Sequence, residues 1–161
     1  MKKMGTKTTR KIYTADEVAN YFIYLASQQV VGDSNEKEGI TNLKLQKILY
    51  FAQAYFLAKL GRPLFKDQIE AWAYGPVVPL IYHKYKHKGS DPIIDGEDSV
   101  KISDEDKKAL AMIWESFGGY SAGRLVDITH AHDPWKLSFK ARSKIISNQS
   151  LKDYYKPLLN K

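Results

Sequence analysis

The sequence predicts a single, mostly helical α+β domain, and three observations carry that prediction. Helical periodicity with start and stop signals recurs along the 161 residues. One helical stretch carries two apolar stripes instead of one. Strand-like alternation is confined to one short aromatic segment. A chain of this length has room for one sizeable core. Residues 1–12 read as a basic, flexible arm and 13–161 as the domain.

Each element has its own warrant. Thr14-Ala15-Asp16-Glu17 has a capping-box pattern, and Val18, Phe22, Leu25 and Ala26 follow at helical spacing. A first helix is therefore expected over about 14–30. The polar stretch 32–39 reads as a loop. A second helix is expected from Thr41 to Leu60, closed by Gly61 and Pro63. Leu45, Ile48, Leu49, Ala52, Phe56 and Leu60 form one stripe on it, and Leu43, Tyr50, Ala54 and Leu57 another. That makes it the central helix, packed on both sides.

Alternation over 68–74 predicts a strand or extended segment. Pro76 reads as the first turn of the next helix, which Gly89 ends. Residues 90–102 read as a loop or a small hairpin centred on Asp95-Gly96. Ser103 and three acids open a further helix, with Leu110, Ile113, Trp114 and Phe117 on its core side. Two more are expected, at about 121–131, stopped before Pro134, and at about 148–156.

Composition excludes several functions. The chain has no cysteine, so disulfides, thiolate metal sites and a Cys nucleophile are ruled out. No apolar run reaches membrane length, and the basic N-terminus lacks a signal-type apolar stretch. A cytoplasmic protein without a membrane partner is expected. The net charge is +7, but Lys2, Lys3, Lys7, Arg10 and Lys11 lie in the arm, leaving twenty basic and eighteen acidic residues. Residues 91–106 are acidic and the part from Lys136 onward is basic. Such a dipolar surface suits an oriented protein partner about as well as nucleic acid.

Candidate chemistry is sparse. His83 and His87 sit four apart on one helical face, and His130 and His132 lie beside Asp133, so a zinc hydrolase or nuclease is one alternative. Against it, no glutamate separates the first pair and lysines crowd it; solvated histidines on a basic helix are the plainer reading. No G-x-S-x-G elbow is present, and "GGYSAG" (118–123) lacks the lysine of a phosphate loop. No cofactor is expected. Tyr82, Lys84, Tyr85, Lys86 and Lys88 interleave rings and cations, which keeps nucleic acid as a less favoured partner, reached also by the basic arm. An amphipathic helix with Ile81 and Tyr85 inward explains the same residues.

"AWAYGPVVP" (71–79) is the most distinctive stretch. Trp72 and Tyr74 alternate with alanines and run into Gly75-Pro76. A rigid aromatic–glycine–proline turn serves as a core corner or as a mount for recognition rings.

Residues 41–86 resemble the Panacea domain, the family of SocA-like antitoxins and phage-associated GepA-like proteins. The resemblance rests on Leu45-Gln46-Lys47 leading into Leu49-Tyr50-Phe51, on Gly61 with Pro63-Leu64-Phe65, and on Glu70-Ala71-Trp72 with Tyr74-Gly75-Pro76-Val77. Thr129-His130 and Pro134-Trp135 look like its later motif. The resemblance implies a non-enzymatic antitoxin that binds a cognate toxin protein. In at least one branch it implies an adaptor delivering the toxin to a ClpXP-type protease. On that basis Trp72, Tyr74, Gly75, Pro76 and Val77 are placed at or directly behind a partner-binding surface. His130, Pro134 and Trp135 form a second group. For Trp72 a core position stands beside the surface one.

Overall fold

Thr14 opens the first helix as its pattern predicts: its hydroxyl accepts from the Glu17 amide, and its own amide donates to the Glu17 carboxylate. In the computed structural model, which describes residues 11–29, 32 and 36–159, this helix is α1 (Ala15–Ser27). The arm reading for 1–12 falls largely outside the described residues. Thr41 caps α2 (Asn42–Tyr55), which widens into a π-helical turn over Phe56–Leu60 and stops at Gly61, whose left-handed backbone ends the run.

α2 is the axis of the domain, buried nearly all round. Leu45, Ile48, Leu49, Tyr50 and Ala52 have no exposed surface, and Gln46, Lys47 and Gln53 are buried with them. The remaining helices pack about it: α3 (Pro79–Tyr85), α4 (Asp104–Phe117), α5 (Ala122–Ala131) and α7 (Asn148–Leu159) all touch α2, as does α1. Two expected stripe members fall outside the buried face. Leu43 and Leu60 are exposed: Leu43, in the first turn, opens onto a groove beside Tyr82 and Ala122, and Leu60 is the last residue before the Gly61 stop.

The β element is a three-stranded antiparallel sheet ordered β2-β1-β3. β1 (Ile69–Trp72) pairs with β2 (Gly75–Val77) and with β3 (Ile145–Ile146). Trp72 faces Gly75 across the first pair, so Ala73-Tyr74 is a two-residue hairpin loop. This corrects the sequence reading twice. The tip of the turn is Ala73-Tyr74, and Pro76 lies in an edge strand, where its missing amide leaves no ladder bond unmade. The helix starts instead at Pro79.

Of the two readings of residues 90–102, the loop is the one found, and it is tied down by a bridge between Ile40 and Ile93. Two further readings change. The segment after Pro134 is helical: α6 (Asp133–Lys140) carries that proline in its first turn, where its ring starts a helix as readily as it stops one. The last helix runs on from 156 to Leu159. Among the described residues, no helix is long and apolar enough to cross a membrane.

Candidate functional site

The site is built from the axis outward. Asn42, Gln46 and Gln53 share one face of α2 by their spacing, and each spends its amide on backbone. Asn42 Nδ2 donates to the Tyr82 carbonyl at 3.0 Å, and Gln46 Nε2 donates to Asn42 Oδ1 at 2.8 Å. Gln46 Oε1 accepts from the Val78 amide at 2.9 Å. One turn of helix thus holds the exit of β2 and the body of α3. Next to it, Lys47 Nζ donates to the Pro76 carbonyl at 3.0 Å.

Lys47 is an unusual group. It has no exposed surface, and no carboxylate among the described residues pairs with it; burial lowers its pKa to about 7. Its stem lies against Gly75, where a Cβ would come 2.6 Å from Lys47 Cε and 3.0 Å from Thr129 Oγ1. Gly75 has φ +103°, a region L side chains rarely adopt. Glycine is therefore required there on two counts, backbone and space.

A pH dependence follows. Between about pH 7 and the ordinary lysine range, the unfolded chain binds a proton that the folded chain does not. Stability therefore rises with pH across that window, by about 1 kcal/mol per pH unit. Below pH 7 both states hold the proton, and the penalty of the buried ammonium is fully present. Urea unfolding at steps from pH 6.5 to 9 should show this slope in the wild-type chain. It should be largely absent in Lys47→Met; equal slopes in both would show that Lys47 keeps its charge when folded.

On the other side of the hairpin, both halves of the sequence-predicted set meet. Trp135 Nε1 donates to the Trp72 carbonyl at 2.8 Å. The Trp135 ring stacks on His130 at 3.9 Å and on Phe139 at 4.7 Å. The Trp72 ring stands edge-on to Tyr82 at 5.1 Å, and its Nε1 donates to Glu70 Oε1 at 2.9 Å. So a residue near 72 and one near 135 are joined by a direct bond, and α6 acts as a buttress to the end of β1.

Burial separates the eight residues. Tyr74 is 73% exposed, whereas Trp72 and His130 are half-buried. Gly75, Pro76, Val77, Pro134 and Trp135 are buried. His130 Nε2 is buried without a hydrogen-bond partner among the described residues. Sequence reasoning quoted Gln46 and Lys47 but gave them no role. A signal was there: two apolar stripes leave little of a helix for solvent, so mid-helix polar residues must be satisfied inside.

The histidines are not gathered. His83 and His87 are exposed on α3 and the short 3₁₀ turn after it, while His132 Nδ1 bonds Tyr155 Oη at 2.8 Å beside α7. Among the described residues, no three of His, Asp and Glu are placed to hold a metal ion. The basic stretch is also partly spent: Tyr85 is buried, and Lys84 pairs with Asp16 at 2.5 Å.

Comparison with known proteins converges on the same segment. The profile of the family described as antitoxin SocA-like, Panacea domain, matches residues 45–136, from the buried Leu45-Gln46-Lys47 turn to the buttress at Trp135. Antitoxin SocA of Caulobacter vibrioides (strain NA1000 / CB15N) is 36% identical over 111 residues, 61% of this chain and 59% of that protein. The chain thus aligns with less than two thirds of that relative's length. No solved structure gives a significant match. Since the matched span exceeds half of the sequence and contains the whole hairpin with its supports, the chain belongs to the SocA-like antitoxin, Panacea domain family.

Proposed function

We propose that this protein is an antitoxin that neutralises a cognate toxin protein by binding it directly, with the hairpin tip as a principal contact. Family membership supports the antitoxin role. The carrying observation is Tyr74, an exposed ring on a two-residue loop whose base is fixed from beneath. Lys47 and Gln46 hold β2, and Trp135 holds the end of β1. A ring displayed on a pre-ordered mount loses little conformational freedom on binding, which is what an interface anchor needs. Gly75, Pro76, Val77, Pro134 and Trp135 serve this surface from behind.

The test is rescue of growth. The reading frame adjacent to this one in its native operon is induced with and without this protein. Arrest alone and growth on co-expression are expected. Tyr74→Ala should lose rescue and bind the toxin at least about tenfold more weakly, at an unchanged melting temperature, because the removed ring is largely solvated. Full rescue by Tyr74→Ala would move the contact elsewhere, and a harmless neighbour would remove the antitoxin reading. Toxin half-life in the same cells separates the two modes of action. A lifetime shortened by this protein, and restored in a strain lacking the ClpXP-type protease, marks an adaptor; an unchanged lifetime marks steric inhibition.

A further inference from the structure

Beside Tyr74 lies a groove of about 460 Å³ whose walls are Leu43, Tyr74, Tyr82, Lys86 and Ala122, mostly apolar surface. It lies over the Asn42–Tyr82 link, so its floor is held by the same face of α2 that holds the hairpin. Leu43 and Tyr74 are exposed at its rim. These are large apolar groups on a well-supported part of the surface, where nothing among the described residues covers them.

The charge on the α3 wall of the groove is of one sign. From 71 to 94 the chain carries Lys84, Lys86 and Lys88 with His83 and His87, against Asp91 as the single acid. Lys84 is neutralised by Asp16. Lys86 is in the wall and Lys88 is next to Gly89 of the wall, and neither makes an ion pair among the described residues. We infer that this groove takes an acidic peptide segment bearing an aromatic or large apolar anchor, the ring seated between Tyr74 and Tyr82 and the carboxylates against Lys86 and Lys88. The inference deepens the antitoxin reading and rests on it for the partner's identity: the segment belongs to the toxin.

Nucleic acid fits less well. A strand bound without sequence preference is tracked by a continuous positive groove with many phosphate contacts. Here two free ammonium groups stand at one end. In the cleft that Lys84 also lines, Lys84 and Lys101 are paired with Asp16 and Glu17, and Glu97 is left over among the described residues, so no positive track continues there for a phosphate backbone. Two cations beside an aromatic slot match a short anionic segment, with long-range charge setting its orientation.

The experiment uses the full ¹⁵N-labelled chain and three probes. They are a blocked peptide of one tryptophan among glutamates, the same peptide with lysines for glutamates, and an oligodeoxythymidylate. The acidic peptide is expected to shift the amides of Tyr74, Tyr82, Lys86 and Ala122, less so as salt rises. The Lys86→Glu/Lys88→Glu variant should weaken that binding by about tenfold or more, whereas Lys108→Glu on the exposed side of α4 should not. Unchanged resonances elsewhere certify that both variants fold. The inference is overturned if the groove amides stay still, if charge reversal has no effect, or if the oligodeoxythymidylate moves them more than the peptide. No toxin enters this titration. Peptide binding without growth rescue keeps the groove and removes the antitoxin reading; rescue without groove shifts does the reverse.

Discussion

Gln53→Leu should destabilise the domain by about 3–5 kcal/mol, a large fraction of the stability of a domain this size. Leucine matches the volume, so packing is not the cause. Gln53 Oε1 accepts from the amides of Leu64 and Phe65 at 2.8 and 3.1 Å, and its Nε2 donates to the Phe65 carbonyl at 2.9 Å. These partners are buried, and Leu64 and Phe65 have no exposed surface. Each backbone group left without a partner costs about 1–3 kcal/mol, and three are left at once. The effect spreads, since Leu64 also accepts from the Tyr13 amide at the entrance to α1. Urea unfolding of the two proteins measures it. A loss below about 1 kcal/mol would mean that water reaches these groups, contrary to their burial.

Gly75→Ala should cost about 2–4 kcal/mol, from two separable sources. The positive φ strains any L residue, and the new methyl meets Lys47 Cε at 2.6 Å. That carbon cannot swing into solvent, because its side chain is buried and its ammonium is held by the Pro76 carbonyl. A double-mutant cycle divides the two. Shortening Lys47 to alanine removes the clash and leaves the strain, so Gly75→Ala should cost less in that background. Identical costs in both backgrounds would mean that Lys47 yields without resistance. Growth rescue, where the antitoxin reading holds, should fall along with stability, since Tyr74 is displayed by this very strand pair.

The sequence and the structure agree where a signal is local. The Thr14 box and the Gly61 stop are read from neighbouring residues, and the structure places both where expected. The two-sided helix was legible because burial on both faces leaves a double stripe. They part where one residue type serves two roles. Pro76 sits in an edge strand and Pro134 in a helix start, yet proline alone says only where a ladder or helix bond is missing. β3 was invisible, since two isoleucines inside a basic segment make no period.

The candidate site was legible in its members more than in their arrangement. The bond from Trp135 to Trp72 crosses 63 residues, and periodicity carries no information at that range. Lys47 was the largest omission. A lysine in a helical pattern is ordinarily assigned to solvent, and only the crowding of apolar positions around it hinted otherwise.

The axis of this domain is synthesised long before part of its cover. Tyr50 on α2 bonds Tyr155 on α7 at 2.8 Å, across 105 positions, and the third strand of the sheet is added only at Ile145–Ile146. On the ribosome, therefore, the central helix emerges with one flank bare and stays so until α7 has cleared the exit tunnel. Until then the nascent chain carries an open core, accessible to chaperones and proteases, and the fold closes only when residues 145–159 are free to dock.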